Sequence, residues 1–260
     1  MSVLNEITEK VRSRVEQKKK TRPVLENSGH NKKRSLKRAI LNFPEASVIG
    51  ELKKSSPSVG KIRSDFHVRE LAKSLDGGGA RAISVLTEPE YFDGSLEYLS
   101  NVRTSVDIPI LRKDFIIDEY QLRRSAEVGA DAVLLIVEIL GKELERYVEI
   151  AHRLGLEVLV EASDKEQALH AESAGADLIG INNRNLKTME VSLERTKDIV
   201  GCTSADSVVV SESGIEDRND IERVIGWGAD AVLVGTALMK SGDVEMKMRE
   251  LVYGEVDGKD

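Results

Sequence analysis

Six short apolar runs in this chain each stop at a polar residue. Ser47-Val48-Ile49-Gly50 runs into Glu51-Leu52-Lys53, and Ile108-Pro109-Ile110-Leu111 into Arg112-Lys113-Asp114. Val158-Leu159-Val160 stops at Glu161, and Leu178-Ile179-Gly180-Ile181 at Asn182-Asn183-Arg184. Val208-Val209-Val210-Ser211 reaches Glu212-Ser213-Gly214, and Ala231-Val232-Leu233-Val234 reaches Gly235-Thr236. Strands buried on both faces read as unbroken Val/Ile/Leu runs, the signature of a parallel sheet covered by helices. When such a sheet closes, the carboxyl ends of all its strands share one face, so these polar residues should converge there.

A repeat gives the strand count. Gly-Ala followed by Asp or Arg and an apolar run occurs at Gly79-Ala80-Arg81, Gly129-Ala130-Asp131, Gly175-Ala176-Asp177 and Gly228-Ala229-Asp230. The spacing of roughly fifty residues fits two strand-helix units per copy. Glycine there can end a helix in the left-handed conformation, and the small Ala allows a tight return to the sheet. Four double units make eight strands, and the pattern predicts an α/β fold, a single (β/α)8 TIM barrel. Strands are expected near 47–53, 82–86, 108–112, 132–136, 157–161, 178–182, 208–212 and 231–235. Helices are expected between them, for example over 119–128, 142–154, 165–174 and 217–226. Leu144, Tyr147, Val148, Ala151 and Leu154 form one amphipathic stripe. Val3, Leu4, Ile7, Val11 and Val15 predict an extra helix over about 3–20, outside the eight-fold repeat, which should cap or flank the barrel. The domains expected are an N-terminal helical extension with a polar linker (1–45), the barrel (46–252) and a frayed tail (253–260).

Composition refines this picture. With 40% hydrophobic and 32% charged residues the 260-residue chain is globular in type. No apolar stretch is long enough to span a bilayer, and the Lys-rich N-terminus lacks the apolar core of a secretory signal. The single cysteine, Cys202, fits a reducing cytoplasm. The net charge of −7 is unevenly spread: residues 1–45 hold twelve Lys/Arg against five Asp/Glu, and the remainder 26 against 40. The basic segment could draw phosphorylated ligands or pack on the acidic body. No aromatic residues interleave with its cations, which argues against nucleic acid as a partner. The four histidines are scattered without metal-ligand spacing, so no metal site is expected.

The strand ends carry the chemistry. Ser213-Gly214 and Gly235-Thr236 follow strands seven and eight, where barrels often seat a phosphate on backbone N–H groups. Lys53 and Lys113 leave strands one and three, and two neighbouring ammonium groups should lower each other's proton affinity, as suits a general acid. Glu51 and Glu161 supply opposing carboxylates, one to accept a proton and one to orient a lysine. Buried structural ion pairs are the competing explanation, weakened by the cost of burying several charges. Asn182 can hold a hydroxyl and Arg184 a carboxylate. Ser56-Pro57-Ser58 starts a loop over the mouth, and Tyr91-Phe92 with Phe115 and Leu134 could form a slot for an aromatic ring.

At this point the chain resembles the indole-3-glycerol-phosphate synthase family. The matching stretches are Glu51–Ser58, Ser84–Glu88 with Tyr91–Gly94, Ile110–Phe115, Leu159–Glu161, Gly180–Leu186, Ser211–Ile215 and Gly235–Met239. They run in family order along residues 47–240. The resemblance implies a phosphorylated small-molecule substrate, 1-(2-carboxyphenylamino)-1-deoxyribulose 5-phosphate, whose ring closes with loss of CO₂ and water. It implies Lys113 as general acid, Glu161 as general base, Lys53 as a second lysine that also serves the phosphate, and Glu51 and Asn182 as orienting groups. It assigns Ser58, Phe92, Phe115, Leu134, Arg184, Leu186, Glu212 and Leu233 to the substrate, and Ser213, Gly214, Gly235 and Thr236 to its phosphate. Acid, base and positioning chemistry then needs no metal or organic cofactor. A monomer or weak homo-oligomer is expected. The chain departs from the family pattern at Val59, where a basic residue is common, in the glycine-rich Asp76-Gly77-Gly78-Gly79, and at Asn185. The rival readings are another phosphate-binding barrel, such as phosphoribosylanthranilate isomerase, and a non-catalytic barrel that binds phosphorylated metabolites.

Overall fold

The structure, a computed structural model, describes residues 3–24, 34–43, 45–185 and 188–254. Eight parallel strands close into a barrel in chain order: β1 (Ser47–Leu52), β2 (Ala82–Leu86), β3 (Ile110–Lys113), β4 (Ala132–Ile136), β5 (Glu157–Ala162), β6 (Leu178–Asn182), β7 (Val209–Glu212) and β8 (Ala231–Val234). β1 pairs with β8 at Ser47↔Ala231 and with β2 at Glu51↔Ser84, which seals the ring. The apolar runs form these strands because helices cover the outer face while the opposite face fills the barrel. Each expected helix is present, and the stripe of Leu144, Tyr147, Val148 and Ala151 is buried against the sheet.

The four-fold repeat does what its glycines suggested, and more. Gly79, Gly129, Gly175 and Gly228 all have positive φ, at 100°, 89°, 82° and 111°. Each following Ala N–H returns to a carbonyl in the last helical turn, for example Ala130 to Ser125 at 3.0 Å. The Asp of three copies has a second use. Its Oδ2 accepts the N–H of Ile110, Val158 or Val209 near the start of the preceding strand, at 2.9, 2.8 and 2.7 Å. Each of these three double units is thereby clamped at the amino-terminal end of its two strands. In the first copy Arg81 instead lies over the Phe43 ring, 3.8 Å from its centre.

Of the short elements that escaped the sequence pattern, two shape the ends of the barrel. A short helix, Leu36–Leu41, plugs the bottom of the barrel with Leu36 and Ile40, which pack on Ile49, Leu111 and Leu178. Its cap Ser35 donates to Glu157 at 2.5 Å, and the Lys37 N–H donates to the same carboxylate at 3.0 Å. Six residues are too few to show periodicity. The second element is a ribbon of Ser55–Ser56 paired with Gly60–Lys61 in the loop after β1. The N-terminal helix α1 (Val3–Thr21) lies across the carboxyl-terminal mouth, its Ile7, Val11 and Val15 packed with Tyr120 and against Phe115. Residues 25–33 of the expected linker and 255–260 of the expected tail lie outside the described residues. The glycine-rich departure has a packing reason: a Cβ on Gly78 would sit 2.6 Å from Met248 and 2.8 Å from the Glu245 carbonyl. Only glycine lets the Val244–Tyr253 helix approach so closely.

Candidate active site

Barrel interiors fill in layers, with alternate strands contributing to each. In the lower layer of the odd strands stand Ile49, Leu111, Leu159 and Val210, all buried and in mutual contact. Two residues further along each strand, the side chains on the same face are Glu51, Lys113, Glu161 and Glu212. The chain has replaced one whole apolar layer with charge. The even strands supply Ser84, Leu134, Gly180 and Leu233 in between. Gly180 leaves a hole that Glu212 fills: a Cβ there would sit 2.1 Å from Glu212 Oε1. Gly235 yields to the same crowding, since its Cβ would lie 2.3 Å from Glu51 Oε2.

Lys113 is the hub of the charged layer. Its Nζ touches Glu212 Oε2 and lies 3.9 Å from both Glu51 Oε1 and Glu161 Oε2. Lys53 Nζ bonds the other Glu51 oxygen at 2.7 Å. Burial alone would depress Lys113, but Glu212, Glu51 and Glu161 outweigh it and raise its proton affinity above the ordinary lysine range. This corrects the expectation that lysine–lysine proximity lowers it: three carboxylates face this ammonium, and their attraction exceeds any repulsion from Lys53. Burial pushes Glu51 up as well, yet Lys53 and Lys113 hold it below its usual value. Glu212 goes the other way. Burial raises it, Lys113 pulls it back, Glu161 and Glu51 push it again, and it comes to rest at about 7. Its Oε1 is buried without a hydrogen-bond partner. Lys113 therefore keeps its proton, and Glu212 holds one more tightly than an ordinary carboxylate.

Above this layer opens a cavity of about 610 Å³. It is lined by Glu51, Lys53, Lys113, Glu161 and Asn182 on its floor, with Phe92, Phe115, Leu134 and Leu233 among its apolar walls. Ser58, Arg184, Ser213, Gly214, Gly235 and Thr236 line it too. Asn182 Nδ2 donates to Glu161 Oε1 at 3.0 Å while its Oδ1 accepts the Arg184 N–H at 3.0 Å, so one amide fixes both the carboxylate and the departing loop. Arg184 Nη1 rests on the Met189 carbonyl at 3.1 Å. Ser213 sits in the left-handed region at φ 70°, a strain of about 1–3 kcal/mol for a non-glycine residue. Asn183 holds it there, donating to the Ser213 carbonyl at 3.1 Å and to Ser211 Oγ at 2.9 Å.

Two expected positions fall elsewhere. Glu212 does not line the cavity; it lies buried behind Lys113 because Gly180 gives it room. Tyr91 is turned from the aromatic slot toward α1, donating to Glu6 Oε1 at 3.0 Å. Leu186 lies outside the described residues. Sequence reading missed Leu4 and Ile7 of α1, Val59 of the ribbon, and Met189 and Val191 after β6, all of which line the cavity. The period of α1 marked its buried face but could not say that the face looks onto the mouth. Cys202 lies in the turn before β7, at the amino-terminal end of the strands. His67 and His152 pair with Asp65 and Asp177, and His30 lies outside the described residues. Among the described residues no helix is long and apolar enough to cross a membrane.

Known proteins share both fold and sequence with this chain. Thiamine phosphate pyrophosphorylase from Pyrococcus furiosus superposes with a TM-score of 0.62 at 24% identity, covering 84% of this chain and 96% of that one. An N-acetylmannosamine-6-phosphate 2-epimerase from Clostridium perfringens gives 0.61 at 16% identity, covering 81% and 93%. At these identities the likeness is one of fold. Sequence relatives are much nearer. The indole-3-glycerol phosphate synthase of Thermoanaerobacter pseudethanolicus is 43% identical over 258 residues, 96% of this chain and 97% of the relative. That of Methanopyrus kandleri is 44% identical over 255 residues, with the same coverage. The sequence profile described as indole-3-glycerol phosphate synthase matches residues 4–251, from the mouth helix through all eight strands. The charged layer, the cavity above it and this end-to-end match agree, and the chain belongs to the indole-3-glycerol phosphate synthase family.

Proposed function

We propose that this chain is a lyase that converts 1-(2-carboxyphenylamino)-1-deoxyribulose 5-phosphate to indole-3-glycerol phosphate, CO₂ and water in tryptophan biosynthesis. The observation that carries the reading is a protonated lysine, Lys113, and a carboxylate fixed by an amide, Glu161, on the floor of one cavity with an apolar wall on one side and two glycine-bearing turns on another.

The substrate's phosphate sits against Ser213-Gly214 and Gly235-Thr236, where backbone N–H groups can reach its oxygens, with Lys53 adding charge. Its carboxyphenyl ring lies on Phe92, Phe115 and Leu134, with Arg184 and Ser58 at the carboxylate. Leu233 completes the apolar contact. Lys113 gives a proton to the carbonyl oxygen as the ring carbon bearing the carboxylate attacks the carbonyl carbon. The carbon–carboxylate bond then breaks, and its electron pair restores the aromatic ring as CO₂ leaves. In the dehydration Lys53 protonates the departing hydroxyl while Glu161 removes the proton whose loss forms the indole double bond. A positioned acid and base of this kind contribute roughly 10²–10⁴-fold each.

The carboxylates around Lys113 shape this chemistry. They keep it charged and loaded at neutral pH, and Asn182 holds Glu161 by its Oε1 while its Oε2 stays 3.9 Å from the lysine. Glu212 is a positioning group beneath Lys113, not a ring contact. The single cysteine and the pathway support a cytoplasmic setting. Incubating the purified protein with the carboxyphenylamino substrate should give indole fluorescence and CO₂ in equal amounts. Binding without either product would favour the non-catalytic barrel instead.

A further inference from the structure

One buried ion pair outside the charged layer joins the mouth helix to the aromatic wall. Glu88 at the end of β2 is completely buried. Its Oε1 takes Arg14 Nη2 of α1 at 2.9 Å and the Glu90 N–H at 3.2 Å, and its Oε2 takes the Tyr91 N–H at 2.7 Å. A single carboxylate therefore caps the short Pro89–Phe92 helix and binds α1. The Arg14 fork also reaches Glu90 Oε1 at 2.9 Å. That short helix carries Phe92, whose ring meets Phe115 at 6.2 Å on the cavity wall. On the other side of the same link, α1 presents Leu4 and Ile7 to the cavity.

Resting on the proposed reading of the cavity, we infer that Arg14 is a positioning residue that sets the aromatic wall for the substrate's ring, acting through Glu88. A buried carboxylate left without its cation must regain solvent or a proton. Either event loosens the cap on which Glu90 and Tyr91 depend, and Phe92 moves with them. α1 also touches the short helix through Glu6, which accepts from the Tyr91 hydroxyl at 3.0 Å, and Lys10, 3.8 Å from Glu90, but both are solvent-exposed contacts and neither engages the buried Glu88. Lys19 pairs with Asp118 at 2.6 Å, away from residues 88–92.

The test uses the full chain and three variants, Arg14→Ala, Arg14→Lys and Lys19→Ala. Amide hydrogen exchange without substrate should quicken about tenfold or more at residues 90–92 in Arg14→Ala, with the barrel strands unchanged. Arg14→Lys, which keeps a cation on Glu88, should recover most of that protection, and Lys19→Ala should match the parent. In turnover assays Arg14→Ala should raise KM by about tenfold while kcat stays within roughly threefold, because ring seating weakens and the acid and base are untouched. Unchanged exchange at 90–92 would overturn the inference, as would equal loosening in Lys19→Ala or a fall in kcat at constant KM. If the parent protein turned over no substrate, the functional reading would fail while the exchange arm still decided the link.

Discussion

Replacing Gly180 with Ala tests the layered architecture at its tightest point. The added Cβ would stand 2.1 Å from Glu212 Oε1, whereas ordinary contact begins near 3.4 Å. Glu212 must therefore retreat by about 1 Å, and Lys113, which pairs with it, must follow or lose it. The rest of the surroundings cannot absorb the change, since the next neighbour, Leu159 Cδ1, would already be in contact at 3.4 Å. A misplacement of about 1 Å in a group that donates a proton costs on the order of 10²-fold in rate. That corresponds to about 2.7 kcal/mol of barrier. Steady-state fluorescence assays of indole formation should show this loss in kcat with a small change in KM, because the phosphate seat and the aromatic wall lie on other elements. Thermal melts run beside them would separate a displaced acid from an unfolded barrel. A kcat within roughly threefold of the parent, in a folded protein, would refute the claim that Glu212 sets the position of Lys113.

Other expected outcomes are more direct. Lys113→Ala should cut kcat by roughly 10³-fold or more and Glu161→Gln by roughly 10²–10³-fold in folded protein; near-parent turnover in either would remove that group from the mechanism. Glu212 has its proton affinity raised to about 7, so the stability it lends is full below the ordinary carboxylate range and fades as pH climbs through about 7. Glu212→Gln should therefore gain melting temperature relative to the parent more at pH 8.5 than at pH 5, and a flat difference would contradict the assignment. Asp131 accepts the Arg34 N–H at 2.9 Å, the Ile110 N–H at 2.9 Å and Arg103 Nη1 at 2.7 Å. Asp131→Ala should cost about 3–5 kcal/mol in urea unfolding, since it takes the carboxylate from the mostly buried Arg103 guanidinium and the acceptor from the buried Ile110 N–H. A chain lacking residues 1–24 should bind substrate more weakly, because Leu4 and Ile7 line the cavity; an unchanged KM would place α1 outside the site.

The apolar runs and the Gly-Ala repeat together determined the barrel. Short Val/Ile/Leu stretches, each followed by a helix, bury both faces in a parallel sheet covered by helices, and the repeat count of eight strands points to its closure. The Gly-Ala repeat marked the return of four helices to that sheet, since its glycines needed a backbone conformation other residues avoid. The polar residues at the strand ends were legible for the same reason: once the strands are parallel, topology alone brings Glu51, Lys113, Glu161 and Asn182 to one face. Other features depended on distances between strands far apart in sequence. The proton affinity of Lys113 is set by how many carboxylates lie within reach, and Glu212 joins them only because Gly180, on a neighbouring strand, has no side chain. The plug at Leu36 and Ile40 is six residues long, too short for a periodic signal, and is fixed by Glu157 on the far side of the ring bottom. The placement of α1 over the mouth was likewise settled by the pairing of Arg14 with Glu88 and of Ile7 and Val11 with their barrel neighbours. Local pattern dictates which elements form, because it acts between residues a few positions apart; the charge state and shape of the cavity follow from contacts that exist only after the ring has closed.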